Sequence, residues 1–250
     1  IQANVSYADQ LFGVVSRPVQ LSNALKVWEA ENWHEKPISI EPMQSYVNLH
    51  DDNHGFTLHT NGVREYEIVG DSFDTISVTL FRSFGYMGKE NLLYRPGRAS
   101  GVSVVATRDA QLSGQLSFAF GWRIYHGAFD NAQHARVSKS LLTSFPVYQD
   151  SDFLNGRLRF CLSDEQRTYP HEYSLLTLPD GPEDALVSVV KCAEEGEGLI
   201  CRFYNPNLNA VATVPALNHA RYVLLDENTP SPERAALKPG DVQTLYLELA

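Results

Sequence analysis

The sequence predicts an all-β fold, a β-sandwich or a pair of packed sheets. Three observations predict it. Short runs alternating apolar and polar residues recur along the chain, Gly, Pro, Asn and Asp clusters separate them, and only two stretches carry helical spacing. At 250 residues the chain is long enough to bury a sizeable core without disulfide staples.

The clearest stretch is 49–68, LHDDNHGFTLHTNGVREYEI. Phe56 and Leu58 alternate with Thr57 and His59, Asn61-Gly62 supplies a two-residue turn, and Tyr66 and Ile68 alternate with Glu65 and Glu67. Asn-Gly between alternating runs signals a β-hairpin, because both residues tolerate the positive φ of a type I′ turn. Asn61, Arg64, Glu65 and Tyr66 crowd hydrogen-bonding and ionic groups beside that turn. They are the first candidates for function.

Before this stretch, 5–15 reads as a strand that ends at Pro18, and Leu21, Leu25 and Trp28 give a short helix over 22–31 behind a Ser22 cap. After it, 75–82 alternates again, while 85–114 lacks periodicity and is rich in Gly, Arg and Asn. The cleanest alternation places Leu116, Phe118, Phe120, Trp122 and Ile124 on one face, predicting a long central strand with Trp122 packed in the core. Residues 132–143 fit either a helix or a loop. Further strands are predicted at 157–162, 173–178, 185–192, 199–204, 209–214, 221–225 and 242–249.

The net charge of −10 and a pI near 5.2 argue against a nucleic-acid or anionic-membrane partner, both of which need clustered Lys and Arg. No apolar run approaches the ~20 residues of a membrane-spanning helix. Three cysteines, Cys161, Cys192 and Cys201, are too few and too odd for a stapled secreted scaffold and indicate a reducing, cytoplasmic compartment. A tight turn in EEGEG would allow a cross-strand Cys192–Cys201 disulfide, but free thiols are the preferred reading. The first residue is Ile1 and the opening is already strand-like, so the chain is expected to begin inside a longer parent.

His50, Asp51, Asp52 and His54 bring potential metal ligands close together in sequence, yet alternate strand residues face opposite ways and Asp-Asn-His-Gly is ordinary turn composition. No fixed zinc spacing is met. Most of the carboxylate pairs, such as Glu194/Glu195, lie in turn compositions, and no GxSxG, Walker, HExxH or GxGxxG pattern occurs. The residues themselves assign no catalytic group.

Several segments in order, QLFGVVSRP, GFTLHTNGVREYEI, VTLFRSFGYMG, LLYRPG, ATRDAQLSG, VVKCAEEGEGLICRFYNP and LKPGDVQTLYLEL, together resemble the C-terminal β-domain of glycoside hydrolase family 38, the α-mannosidases, in particular its bacterial branch of mannosylglycerate hydrolase-like enzymes. The resemblance implies a large antiparallel β-sandwich, a galactose mutarotase-like supersandwich, over 1–178 and a smaller C-terminal β-sandwich portion over 179–250. It also implies a parent that hydrolyses α-mannosides with retention through a glycosyl-enzyme intermediate. The family's catalytic carboxylates and zinc ligands lie in the N-terminal domain, and no position here matches them. This chain is therefore assigned no catalytic residue, no metal ligand and no cofactor of its own, and by itself it is expected to be inactive.

Its implied partners are the N-terminal catalytic domain of the same polypeptide and an α-mannoside, with homo-oligomerisation left open. In the family, a basic residue just after the matching turn reaches toward the sugar site. Arg64 holds that place here, so Arg64, with Asn61, Glu65 and Tyr66 as its supporting shell, forms the expected substrate-binding set. A free-standing carbohydrate-binding β-sandwich is the alternative, and a mutarotase-like epimerase a third.

Overall fold

The computed structural model describes residues 1, 3–33, 35–88, 105–111, 113–144, 178, 181 and 183–248. In chain order its first part comprises β1 (Val5–Gln10), β2 (Gly13–Pro18), α1 (Ser22–Glu31), β3 (Ile40–Pro42), β4 (Tyr46–His50), β5 (His54–Thr60), β6 (Glu65–Val69), β7 (Thr75–Val78), β8 (Tyr86–Met87), β9 (Val105–Ala106), β10 (Phe120–His126) and α2 (Asn131–Leu142). The second part comprises β11 (Leu186–Cys192), β12 (Gly198–Tyr204), β13 (Ala212–Thr213), β14 (Ala220–Val223), β15 (Ala236–Leu237) and β16 (Val242–Glu248). The strand predicted at 157–162 and all but the last residue of that predicted at 173–178 lie outside the described residues, as does Cys161.

A five-stranded sheet in the order β10-β5-β4-β1-β2 faces a three-stranded sheet in the order β3-β6-β7. Every named strand pair among the described residues is antiparallel, as the alternating sequence requires. Ala8, Val47, Leu49 and partly buried Leu58 from the first sheet meet Val63, Tyr66 and Ile68 from the second. Full burial of such side chains contributes about 1.5–3 kcal/mol each. The second part repeats the design on a smaller scale. A sheet in the order β11-β12-β16-β14 packs Cys201, Phe203, Leu245 and Leu247 against Ala212 and Leu237 of the β13-β15 pair. The all-β antiparallel sandwich predicted from the sequence is the observed fold.

Three local expectations are corrected. β5 and β6 do not form a hairpin, because they belong to different sheets. Gly62 has a φ of +92° but Asn61 is not left-handed, so the turn is not type I′. The chain instead changes layer. Thr60 N–H donates to Ser45 O, the Thr60 hydroxyl donates to Val63 O, and Met43 N–H takes Arg64 O, pulling the residues after Gly62 onto β3. Second, the single strand expected over 5–15 is the β1–β2 hairpin, with Gln10 opposite Gly13 and Pro18 at the sheet edge, where its missing N–H costs no ladder bond. Third, among the described residues β10 is an edge strand rather than a central one, and Trp122 is 70% exposed rather than in the core. Alternation defines the two faces of a strand but not which face is covered.

α1 forms over the predicted span, with Leu21 rather than Ser22 as its N-cap and left-handed Asn32 closing it. The ambiguous 132–143 stretch is α2, whose N-cap Asp130 accepts a hydrogen bond from Gln133 N–H. Cys192 stands opposite Leu199 and Cys201 opposite Val190, so the two are not cross-strand neighbours and both are free thiols.

Candidate functional site

Two places concentrate polar chemistry, the layer-changing corner at 61–66 and the interface between the first sheet and α2. At the corner, Asn61 and Arg64 are exposed. The Arg64 guanidinium donates to Gln44 O, and the Asn61 N–H donates to Ala119 O at 3.3 Å. Glu65 turns away to Arg82, its Oε2 accepting from Arg82 Nε at 3.0 Å and from Nη2 at 2.7 Å. Tyr66 is buried between the sheets, its hydroxyl 2.9 Å from Ser6 Oγ and also accepting from Arg17. The four sequence candidates are thus adjacent in the chain but point to three environments, and the expected shell of Glu65 and Tyr66 around Arg64 is not formed. What the corner offers outward is one guanidinium and one amide, a set of hydrogen-bond donors suited to a carboxylate or sugar hydroxyl.

The second place was not singled out from the sequence. The face of the first sheet opposite the sandwich core carries Tyr46, Asn48, Thr57, His59 and Tyr125, and α2 lies across it. Thr57 and His59, the polar half of the β5 alternation, are more deeply buried than Phe56 and Leu58. They are buried because each finds a partner. Asn48 Nδ2 donates to Thr57 Oγ1 at 2.7 Å and to the Tyr125 hydroxyl at 2.8 Å, while Asn48 Oδ1, which can only accept, lies 2.9 Å from His50 Nδ1 and fixes the proton there. Gly55 makes this possible, since a Cβ there would stand 1.9 Å from Tyr125 Cζ. From α2, Ser138 Oγ lies 2.6 Å from His59 Nδ1, and His134 Nε2 lies 3.4 Å from Thr57 Oγ1.

Burial, aided by Arg123, pushes the His59 and His134 pKa values down to about 4, and His59 also disfavours charge on His134. Both are neutral at pH 7. The Ser138–His59 contact has the composition of a nucleophile and base, but among the described residues His59 Nε2 has no partner and no carboxylate orients the ring as hydrolytic triads require. A cavity of about 120 Å³ opens beside it, between Asn61 and the end of α2, walled by Phe120, Gly121 and Leu141.

The network continues into the second part of the chain. The Tyr46 hydroxyl donates to Asn131 Oδ1, and Asn131 Nδ2 donates to Pro206 O. Asp9 anchors the start of β4, accepting from the N–H groups of Gln44, Ser45 and Tyr46 and from the Ser45 hydroxyl.

In the HDDNH stretch, Asp51 Oδ1 accepts from Asn53 and His54 N–H, an Asx turn. Among the described residues no group of three or more His, Cys, Asp or Glu converges as metal ligands would. The zinc implied by the family resemblance therefore finds no donor set among them.

A two-layer antiparallel sandwich, joined through a helix to a smaller four-stranded sheet, defines the protein as a large β-sandwich domain. Residues 1–87 match the family described as Glycosyl hydrolases family 38 C-terminal domain, and the resemblance carried by the sequence motifs stands. A relative named "Putative mannosylglycerate hydrolase" from Halalkalibacterium halodurans is 25% identical over 223 residues, covering 85% of this chain and 20% of its own length. An α-mannosidase from Enterococcus faecalis V583 shares the fold with a TM-score of 0.66 and 24% identity, over 99% of this chain and 24% of that one. A glycosyl hydrolase family 38 protein from Enterococcus faecalis gives 0.63 and 22%, over 99% and 25%. The chain spans about a fifth to a quarter of the length of these proteins.

Proposed function

We propose that this chain is the C-terminal β-sandwich region of a larger α-mannosidase-like hydrolase, and that it supports the catalytic domain and completes its sugar site through Arg64. The observation that carries this reading is the family match over 1–87, the segment that contains the corner, combined with the exposure of Arg64 on the outside of the sandwich. Arg64 is a positioning residue here. Its guanidinium donates to a catalytic-domain carboxylate or a substrate hydroxyl, with Asn61 beside it, while Glu65 and Tyr66 hold the backbone of the corner through Arg82 and Ser6. The parent hydrolyses α-mannosides with retention, and its zinc and catalytic carboxylates belong to the catalytic domain. The free thiols Cys192 and Cys201 support a cytoplasmic setting.

In the longer enzyme, Arg64→Ala is expected to lower kcat/KM for an aryl α-mannoside about 10–100-fold, the worth of a lost charge-assisted hydrogen bond, with the unfolding midpoint unchanged and partial recovery in Arg64→Lys. Unchanged kinetics would sink the reading. The 250-residue chain alone is expected to show no turnover of the same substrate with zinc added, and measurable hydrolysis would place the chemistry in this chain after all.

A further inference from the structure

Arg64 is exposed, and an exposed arginine samples many rotamers, so a guanidinium that serves a sugar site needs something to aim it. Both ends of the residue rest on the connection between β3 and β4. Met43 N–H donates to Arg64 O at 2.9 Å, and the guanidinium donates to Gln44 O. That carbonyl takes one of the five guanidinium N–H groups and leaves the others for a ligand. Glu65 and Tyr66, the next residues in the chain, are engaged with Arg82 and Ser6 and leave the aiming to Gln44 O.

Gln44 and Ser45 lie between the two strands, and buried Asp9 of β1 holds them from the far side. Asp9 Oδ1 accepts the N–H groups of Gln44 at 3.0 Å, Ser45 at 2.7 Å and Tyr46 at 2.9 Å, and Asp9 Oδ2 accepts the Ser45 hydroxyl. Ser45 N–H and Gln44 C=O belong to one peptide unit. No peptide bond among the described residues is cis, so these two groups share a plane and point in opposite directions. The carboxylate that grips the N–H on one side therefore sets the direction of the carbonyl on the other. It also polarises that carbonyl, which becomes a stronger acceptor for the guanidinium. An anion acts on the donor end of the peptide and a cation on its acceptor end.

We infer that Asp9 is a positioning residue for the proposed sugar site, aiming Arg64 through the Gln44–Ser45 peptide. The inference rests on the function proposed for Arg64 and extends that site to a buried carboxylate on β1.

The test is a double-mutant cycle in the longer enzyme, with kcat/KM for an aryl α-mannoside measured in Asp9→Ala, Arg64→Ala and the double variant. Asp9→Ala is expected to lower kcat/KM about fivefold to tenfold when Arg64 is present and about twofold or less once it is gone, the non-additivity of residues that act through one contact. Asp9→Asn keeps an acceptor oxygen and is expected to recover part of the loss; it carries the same cycle if Asp9→Ala fails to fold. Leu245→Ala opens a cavity in the core of the second part without touching this peptide, and is expected to lower stability and leave kcat/KM unchanged. In the 250-residue chain, nitrogen-15 relaxation at Arg64 Nε reads the aim directly, and the Asp9 variants are expected to lose the order that the unsubstituted chain shows there. Equal losses on substituting Asp9 with and without Arg64 overturn the inference and assign Asp9 to stability alone. Unchanged Arg64 relaxation in the Asp9 variants overturns it as well. Normal kinetics in the Asp9 variants beside impaired kinetics in Arg64→Ala refute the aiming and leave the sugar-site reading intact. If Arg64→Ala leaves the kinetics unchanged while the Asp9 variants free the Arg64 side chain, the sugar-site reading fails and the aiming stands.

Discussion

Replacing Asp9 with alanine is expected to cost about 3–5 kcal/mol of folding free energy, because two buried N–H donors and a buried hydroxyl lose their acceptor at once and each unsatisfied group costs roughly 1–3 kcal/mol. The donors are the amides of Ser45 and Tyr46, at 2.7 and 2.9 Å from Asp9 Oδ1, and the Ser45 hydroxyl on Oδ2, whereas the part-buried Gln44 amide keeps the Asp9 backbone carbonyl at 3.1 Å. They begin β4, the strand that carries Val47 and Leu49 into the core and Tyr46 and Asn48 into the α2 interface. Loosening that strand start therefore disturbs both faces of the sheet. Asp9→Asn retains an acceptor oxygen and is expected to recover about half of the loss. Urea unfolding of the three proteins checks this, and a loss below about 1 kcal/mol in Asp9→Ala would show that water replaces the carboxylate without strain.

The second large effect is on acid stability. His59 and His134 titrate at about 4 in the folded chain and near 6.5 when unfolded, so between those values the unfolded state binds more protons and acid favours it. Their contribution is fully present above pH 6.5, declines as pH falls toward 4 and is exhausted below that. Each ring is worth about 1–2 kcal/mol once solvent screening is allowed for. Asp9 acts in the opposite sense at the lower end. Burial pushes its carboxyl up despite the hydrogen bonds that pull it down, so protonation there favours the folded chain. Unfolding free energy measured from pH 7.5 to 4 is expected to fall, and the His59→Gln/His134→Gln variant is expected to flatten the slope. An equal slope in both would assign the acid sensitivity to other groups.

The sequence was legible where a feature depends on neighbours in the chain. The spacing of Leu21, Leu25 and Trp28 gave α1, and the glycines at 62, 196 and 240 all turn the chain with positive φ. It misled where the deciding partner is distant. Asn61-Gly62 does reverse the chain, but whether β6 returns to β5 is decided by Ser45 and Met43, which take the backbone groups of Thr60 and Arg64. The α2 interface was hidden for the same reason. Thr57 and His59 lie on one face of β5, and His134 and Ser138 stand four residues apart on one helical face, two regular polar patterns. Each resembles a solvated surface until the 77 to 79 residues between the contacts are closed. The role proposed for Arg64 comes from its place after the turn, but the dispersal of Glu65 and Tyr66 to Arg82 and Ser6 is a tertiary fact.

The clasp through Asn131 also bears on how the chain matures during synthesis. Asn131 takes the Tyr46 hydroxyl on one side and gives its amide to Pro206 O on the other. At ~5–20 residues per second, Pro206 leaves the ribosome roughly ten to thirty seconds after Tyr46, so the first sheet spends that interval without its completed helical cover. The side left waiting carries Asn48, Thr57 and His59, which water can solvate, while the apolar side is closed early by sequence-local β3, β6 and β7. A nascent chain with these faces exchanged would expose Val47, Leu49 and Leu58 for the same interval and invite association with its neighbours on the polysome.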